Sequence, residues 1–273
     1  MTGPFARLVL WLGAALGALA YALGIRRAVA LDNLARAFPG RDPAQRRALA
    51  RGSYRSLGRA LAETVLARRL PDAELAALIR FDRFDRYEEA RAAGKGVIVA
   101  VAHFGNWELL ARACARRGVP LTAITRRLRG RLNRWLLAAR REGGLRELPD
   151  KEATRDALLL LRRGETLAVV VDQNMLRRRG IFVDFFGTPA CTTPAAAVLA
   201  LRSGAPVIAA FPVREADGRH RVLVEGPFAA PAGLRTADAV RALTQQITSA
   251  VERAVRDHPE QWFWVHRRWK TRP

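Results

Sequence analysis

Two short apolar runs constrain this chain more than anything else in it. Val97-Ile98-Val99-Ala100-Val101 follows Gly96, and Leu167-Ala168-Val169-Val170-Val171 ends at Asp172. Each has the length of a strand and is rich in β-branched side chains without polar alternation, the pattern of a strand covered on both faces. Covering both faces takes helices, and the flanking residues offer them at 106–117, 131–141, 152–163, 193–202 and 237–256. Further strands are expected at 121–125, 181–185, 207–213 and 221–224. This alternation predicts an α/β fold with a central, mostly parallel or mixed sheet flanked by helices. A chain of 273 residues suits one such domain with a short appendage.

The appendage is the N-terminus. Leu8 to Ile25 reads LVLWLGAALGALAYALGI, with no charge, between Arg7 and the pair Arg26-Arg27. As a helix it is ~27 Å long, just enough for a hydrocarbon core of ~30 Å, with Trp11 and Tyr21 near its ends where interfaces favour amphipathic rings. The run ends in Ile25-Arg26-Arg27 rather than in small residues, which argues against a cleaved leader. The expectation is a retained anchor helix over 1–27, spanning or deeply embedded, with the more basic flank and the body, 28–273, on the cytoplasmic side. Residues 28–70 read as a helical lead-in. Asp42-Pro43 supplies an N-cap and a first-turn proline, and Leu49, Tyr54, Leu57, Leu61 and Val65 recur at helical spacing between arginines. That basic helix either lies on an anionic bilayer or packs on the main domain.

The formal charge of +22 attracts polyanions: nucleic acid, anionic headgroups or an acidic protein. Almost all of the surplus is arginine, since Lys95, Lys151 and Lys270 are the only lysines. It is concentrated from Arg112 to Arg146, where eleven arginines face one acid, Glu142. Guanidinium forks suit phosphate and carboxylate, so this stretch is a candidate anion-facing surface. Cys114 and Cys191 are not in a CxxC pair and read as buried small hydrophobes. His103, His220, His258 and His266 lack metal-site spacing, and there is no Gly-x-Ser-x-Gly elbow, phosphate-binding P-loop or His-Glu-x-x-His.

The chemistry-bearing feature is His103-Phe104-Gly105-Asn106-Trp107-Glu108. The strand 97–101 delivers His103 at its carboxyl end, where open α/β sheets gather ligand sites. Asn106 caps the next helix and puts Glu108 in its first turn. A carboxylate there can accept from one ring nitrogen of His103, fix its tautomer and leave the other nitrogen to take a proton from an alcohol. The same position for Glu108 is also favoured simply by the helix dipole.

The segment His103–Glu108 resembles the His-x4-Asp/Glu motif of the lysophospholipid acyltransferase superfamily. Other words narrow the resemblance to the bacterial lipid A biosynthesis (lauroyl/myristoyl) acyltransferases: Asp32-Asn33-Leu34-Ala35-Arg36-Ala37-Phe38-Pro39, Val171-Asp172-Gln173-Asn174, Phe185-Phe186-Gly187, Thr192-Thr193-Pro194-Ala195, and the closing Pro259-Glu260-Gln261-Trp262-Phe263-Trp264-Val265-His266-Arg267-Arg268-Trp269. They stand in the family's order and cover nearly the whole chain.

The resemblance implies an acyltransferase domain over 28–273, with His103 as general base and Glu108 as its orienting partner. It places Arg126, or the adjacent Arg127, against phosphate or the developing oxyanion. Asp172 and Gln173 would line the site, and Asn106 would start the helix whose backbone N–H groups are the other candidate for the oxyanion. Trp262, Phe263, Trp264 and Trp269 read as packing rather than substrate contact. No cofactor or metal is implied. The donor would be acyl-carrier protein or acyl-CoA, and the acceptor an anionic glycolipid, a lipid A precursor, at the cytoplasmic face of the bacterial inner membrane, with no nucleic acid partner. Rival readings keep the chemistry on another polar lipid (a phosphatidylinositol mannoside or an ornithine lipid), replace the acceptor by water, or make the chain a non-catalytic basic binding protein.

Overall fold

In the computed structural model, which describes residues 3–125, 130–150 and 153–273, helices α1 (Pro4–Ala22), α2 (Arg27–Ala37), α3 (Pro43–Ala67) and α4 (Asp72–Leu78) lead into the sheet. There follow β1 (Ile79–Asp82), α5 (Asp85–Ala92), β2 (Val97–Val101), α6 (Trp107–Arg116), β3 (Leu121–Thr125), α7 (Arg131–Glu142) and β4 (Arg146–Pro149). The chain continues through α8 (Ala153–Arg162), β5 (Thr166–Val170), the hairpin β6 (Ile181–Phe185) and β7 (Thr188–Thr192), and α9 (Ala195–Ser203). It closes with β8 (Val207–Arg214), β9 (His220–Phe228) and α10 (Thr236–Asp257).

The expected α/β architecture is present as a seven-stranded mixed sheet in the order β1-β9-β8-β2-β5-β3-β4. The two apolar runs are neighbours near its centre, pairing in parallel from Val97↔Thr166 to Val101↔Val170. Only the β8–β9 pair in this sheet is antiparallel among the described strands. One core packs Ile98, Ala100, Leu167 and Val169 against α8, α9 and α10; the other packs Val97, Val99 and Ala168 against α6. Each fully buried Val, Leu or Ile contributes roughly 1.5–3 kcal/mol, so this doubly covered centre fixes where both strands end.

Several elements carry no clear sequence signal, for physical reasons. β1 and β4 are four-residue edge strands, and β4 (Arg-Glu-Leu-Pro) ends in a proline that an edge tolerates. β7 contains Pro189 and, among the described strands, pairs with β6 alone. The α5 sequence is polar almost all round.

The N-terminal run forms α1 as expected. One face, Gly13, Ala14, Gly17 and Tyr21, is buried. A Cβ added at Gly13 would fall 2.6 Å from the Gly58 carbonyl oxygen, and one at Gly17 would fall 2.0 Å from that of Tyr54. Descending numbers on α3 against rising numbers on α1 make the pair antiparallel, in backbone contact along its length. In α3 the Asp42 side chain accepts from the backbone of Ala44 and Gln45, and Gln45 closes a reciprocal capping box.

Candidate active site

The loop after β2 is built around a glycine. Gly105 has φ +54°, and a Cβ there would overlap the Pro212 carbonyl oxygen at 1.7 Å. Its N–H donates to Gln261 O (2.8 Å), while Phe263 N–H donates back to His103 O (3.0 Å). The C-terminal segment thus lies antiparallel across the loop, with Phe104 and Trp262 as a bridge pair.

His103 and Asp172 each follow their paired strand ends by two residues, so the parallel register brings them together. His103 Nδ1 lies 2.9 Å from Asp172 Oδ1, and the His103 backbone N–H donates to Oδ2 at 2.9 Å. Trp262 Nε1–H donates to the same Oδ2 at 2.9 Å. Burial alone would push the Asp172 carboxyl up. The adjacent imidazole and these donors outweigh it and hold the carboxyl below its ordinary value. Burial likewise works against a charged His103. The Asp172 carboxylate overrides it, with Glu108 adding at longer range, so the imidazole pKa is raised. With Nδ1–H on Asp172, Nε2 is left as the acceptor nitrogen, and the Gln173 amide Nε2 lies 3.3 Å from it as donor.

Glu108 does not take the expected place on His103. Its carboxylate is held by Arg140, whose Nη2 donates to Oε1 at 2.6 Å and Nε to Oε2 at 2.9 Å, and Trp107 Nε1–H donates to Oε1 at 3.0 Å. The first turn of α6 points Glu108 across to α7, where a guanidinium offers a two-bond fork, whereas Asp172 reaches His103 from the neighbouring strand. Asp172, expected only to line the site, is therefore the hydrogen-bond partner of the imidazole.

Asn106 was expected near substrate, but its side chain is consumed inside the protein. Oδ1 accepts from Leu109 N–H (3.1 Å), and Nδ2 donates to Ala60 O (2.9 Å) and Glu63 Oε2 (3.0 Å). It caps α6 and ties it to α3. Burial alone would push the Glu63 carboxyl up, but the buried His220 (3.4 Å) and Arg214 (2.5 Å) beside it outweigh that and hold it at about 2. Arg126 and Arg127 lie outside the described residues.

Two spaces meet at His103. A cavity of about 90 Å³ runs behind it between α6 and the sheet, walled by Leu110, Leu121, Ala123, Leu145 and Val170, with Glu108 and Arg140 at its polar side. In front, a cleft between α3 and the C-terminal segment is lined by His103, Trp107, Ser56, Leu57 and Phe263. Trp107 and Phe263 also pack on the imidazole, at centroid separations of 5.1 and 5.7 Å.

The sequence words scattered along the chain form the scaffold of this loop. Asn33 Nδ2 donates to Trp264 O (2.7 Å) and His266 O (2.6 Å). Asn174 N–H donates to His266 Nε2 (2.8 Å), whose pKa burial depresses to about 4, keeping it a neutral acceptor. Phe185 stacks on Trp269, and the buried Arg268 donates to Cys191 O and Thr192 Oγ1. The aromatic cluster is packing, as expected, except that Trp262 also donates to Asp172 and Phe263 faces His103. Arg140 and Glu63 were not singled out from sequence, and Trp262 was read there only as packing. The one signal available for the His103–Asp172 pair was that each stands just beyond one of the two matching apolar runs.

A histidine hydrogen-bonded to a buried aspartate, at adjacent strand ends over an apolar cavity, is an arrangement suited to general-base chemistry on a hydroxyl beside a hydrocarbon chain. The family model for bacterial lipid A biosynthesis acyltransferases matches residues 5–271, and the chain belongs to that family of acyltransferases. It is 29% identical over 266 residues to the lipid A biosynthesis palmitoleoyltransferase of Escherichia coli K12, and 29% over 264 residues to the lauroyltransferase of the same organism. Each alignment covers 96% of this chain and 85% of the relative. A phosphatidylinositol mannoside acyltransferase of Mycobacterium tuberculosis H37Rv is 28% identical over 189 residues, 68% of this chain and 58% of the relative.

Proposed function

We propose that this acyltransferase moves a fatty acyl chain from an acyl thioester, carried by acyl-carrier protein, to a hydroxyl of a lipid A precursor at the cytoplasmic face of the membrane. The observation that carries the reading is His103 Nδ1 on the Asp172 carboxylate, which leaves Nε2 basic at the junction of cleft and cavity. The acceptor hydroxyl gives its proton to Nε2 as its oxygen attacks the thioester carbonyl. The tetrahedral intermediate collapses with cleavage of the C–S bond, the ester is formed, and the imidazolium returns the proton to the departing thiolate. Asp172 stabilises the imidazolium without taking its proton. No covalent enzyme intermediate is needed.

The apolar cavity behind His103 suits the carbonyl-proximal part of an acyl chain. The Glu108–Arg140 pair fixes the polar wall of that cavity, and the Gln173 amide, which donates to Nε2, gives up that place to the acceptor hydroxyl. A surplus of +22 suits an acidic carrier protein and an anionic acceptor. Two of the relatives named above are lipid A enzymes aligned over 96% of the chain, which favours that acceptor over the mannoside of the mycobacterial relative.

Mass spectrometry of membrane lipids from cells with and without the protein tests the assignment. A lipid A species should lose one acyl mass in its absence and regain it with the wild type but not with His103→Ala. Loss from a phosphatidylinositol mannoside instead would move the acceptor. Full restoration by His103→Ala would end the proposed chemistry.

A further inference from the structure

The helix pair α1–α3 has two unlike flanks. On one, Leu12, Leu16 and Ala20 of α1 and Leu57, Leu61 and Val65 of α3 wall an apolar groove of about 540 Å³. On the other, Arg51, Arg55 and Arg59 of α3, one turn apart, line a wide trough with Arg7 and Trp11 of α1. Among the described residues Arg7, Arg55 and Arg59 have no acidic partner, and Arg59 Nε is buried with none at all. Glu215 and Asp257 stand on the opposite wall, and the Glu260 carboxylate reaches across to the α3 backbone at Gly52; Glu215 is already paired with Arg80 and Arg221. Between the flanks, Phe5, Leu8, Leu12, Leu16, Leu19 and Leu23 make an outward stripe, each at least 46% exposed.

We propose that α1 lies in the plane of an anionic leaflet rather than crossing the bilayer. In that pose its stripe and the groove enter the acyl layer, and the arginine trough sits among headgroup phosphates. The inference deepens the membrane placement above and rests on it. α1 is long and apolar enough to span, but its backbone contact with α3 rules its orientation. Gly13 and Gly17, at the middle of α1, touch Gly58 and Tyr54. A spanning α1 would therefore carry Arg55 and Arg59 to mid-bilayer, where arginine is most costly, or would have to leave α3 and strip its backbone contacts. Lying flat satisfies both flanks: apolar area is buried and guanidinium groups meet phosphate. The pose also serves the site. Tyr54, Leu57, Phe263 and Val265 line both the groove and the cleft before His103, and Ser56 and Gln261 line both the trough and the cleft. A lipid with its chains in the groove and its phosphates in the trough would present its polar part to His103.

The test uses the full chain with Cys114→Ala and Cys191→Ala and a single cysteine at Leu8, Leu16 or Leu23, side chains that are exposed and whose labelling leaves the α3 contact intact. Nitroxide depth in phosphatidylglycerol–phosphatidylethanolamine vesicles should be equal and shallow at all three. Binding should be weak on phosphatidylcholine alone, and Arg55→Gln with Arg59→Gln should lose roughly ten- to thirtyfold in affinity for the anionic vesicles. A label at Leu16 in mid-bilayer with Leu8 and Leu23 at opposite faces would overturn the in-plane pose alone. Undiminished binding by the double variant would overturn the role of the trough. No affinity for any vesicle, or a stripe that only joins two copies of the chain, would overturn the membrane placement as well.

Discussion

Asp172→Asn separates the two carboxylates that could orient His103. Asp172 Oδ2 accepts two N–H bonds, from the His103 backbone and from Trp262, while Oδ1 faces His103 Nδ1. An asparagine keeping its oxygen at the Oδ2 position retains both of those bonds and turns its NH₂ toward Nδ1. Nδ1 must then become the acceptor, and the ring proton moves to Nε2, the atom that should receive the hydroxyl proton. The fold survives while the base is presented in the wrong tautomer. General-base action is worth about 10²–10⁴ in rate, and a tautomer inversion in hydrolase triads costs on the order of 10⁴. We expect a loss of about 1,000-fold in kcat, or about 4 kcal/mol of transition-state stabilisation. KM should hardly move, because the Asp172 side chain is 3% exposed. The assay is transfer of a labelled acyl group from acyl-carrier protein to a lipid A precursor, with circular dichroism to verify folding. The double variant with His103→Ala should be little worse than His103→Ala alone, since the two residues act as one unit. A kcat within tenfold of wild type would refute this role of Asp172, as would a full loss in Glu108→Gln with none in Asp172→Asn.

The base must be neutral to act and its pKa is raised, so kcat/KM should fall on acidification through an apparent pKa above the ordinary histidine value of about 6.5. In Asp172→Asn, where only the more distant Glu108 still opposes burial, that acid limb should move to lower pH. Glu108→Gln removes the closer of the two carboxylate partners of Arg140, leaving Glu147 at 3.7 Å, and keeps the His103 tautomer; a smaller displacement of the acid limb and a stability loss of roughly 1–3 kcal/mol are expected from rate profiles and chemical denaturation. Glu63 is ionised down to about 2, below its unfolded value, so its contribution, on the order of 3 kcal/mol, is complete above about pH 4.5 and is lost as pH falls toward 2. Glu63→Gln should flatten that part of the stability–pH curve in urea titrations. Gly105→Ala forces a Cβ into the Pro212 carbonyl at positive φ; the loop must shift, and we expect at least 1–3 kcal/mol of destabilisation together with a near-complete loss of turnover.

The sequence alone determined the fold class, because two doubly covered strands and the helices between them admit few other architectures. It also located His103, through the strand that delivers it, and the capped helix after it. Local patterns could do this because they depend on near neighbours: β-branched runs, an N-cap and helical spacing. The partner of the base was a different kind of question. Glu108 is five residues from His103 and looked like its mate, whereas Asp172 is 69 residues away and reaches it through the parallel register of β2 and β5. Asn106, Glu63 and Arg214 meet from three separate elements, and Asn33 joins the closing segment 231 residues on. The apolar N-terminal run was legible as an apolar helix, but its glycines are spaced for contact with α3, and only packing showed a helix of spanning length joined along its backbone to an arginine-bearing neighbour. Pairings between distant segments are set by sheet register and helix packing, which no local pattern encodes, so tertiary structure decided which carboxylate faces the base.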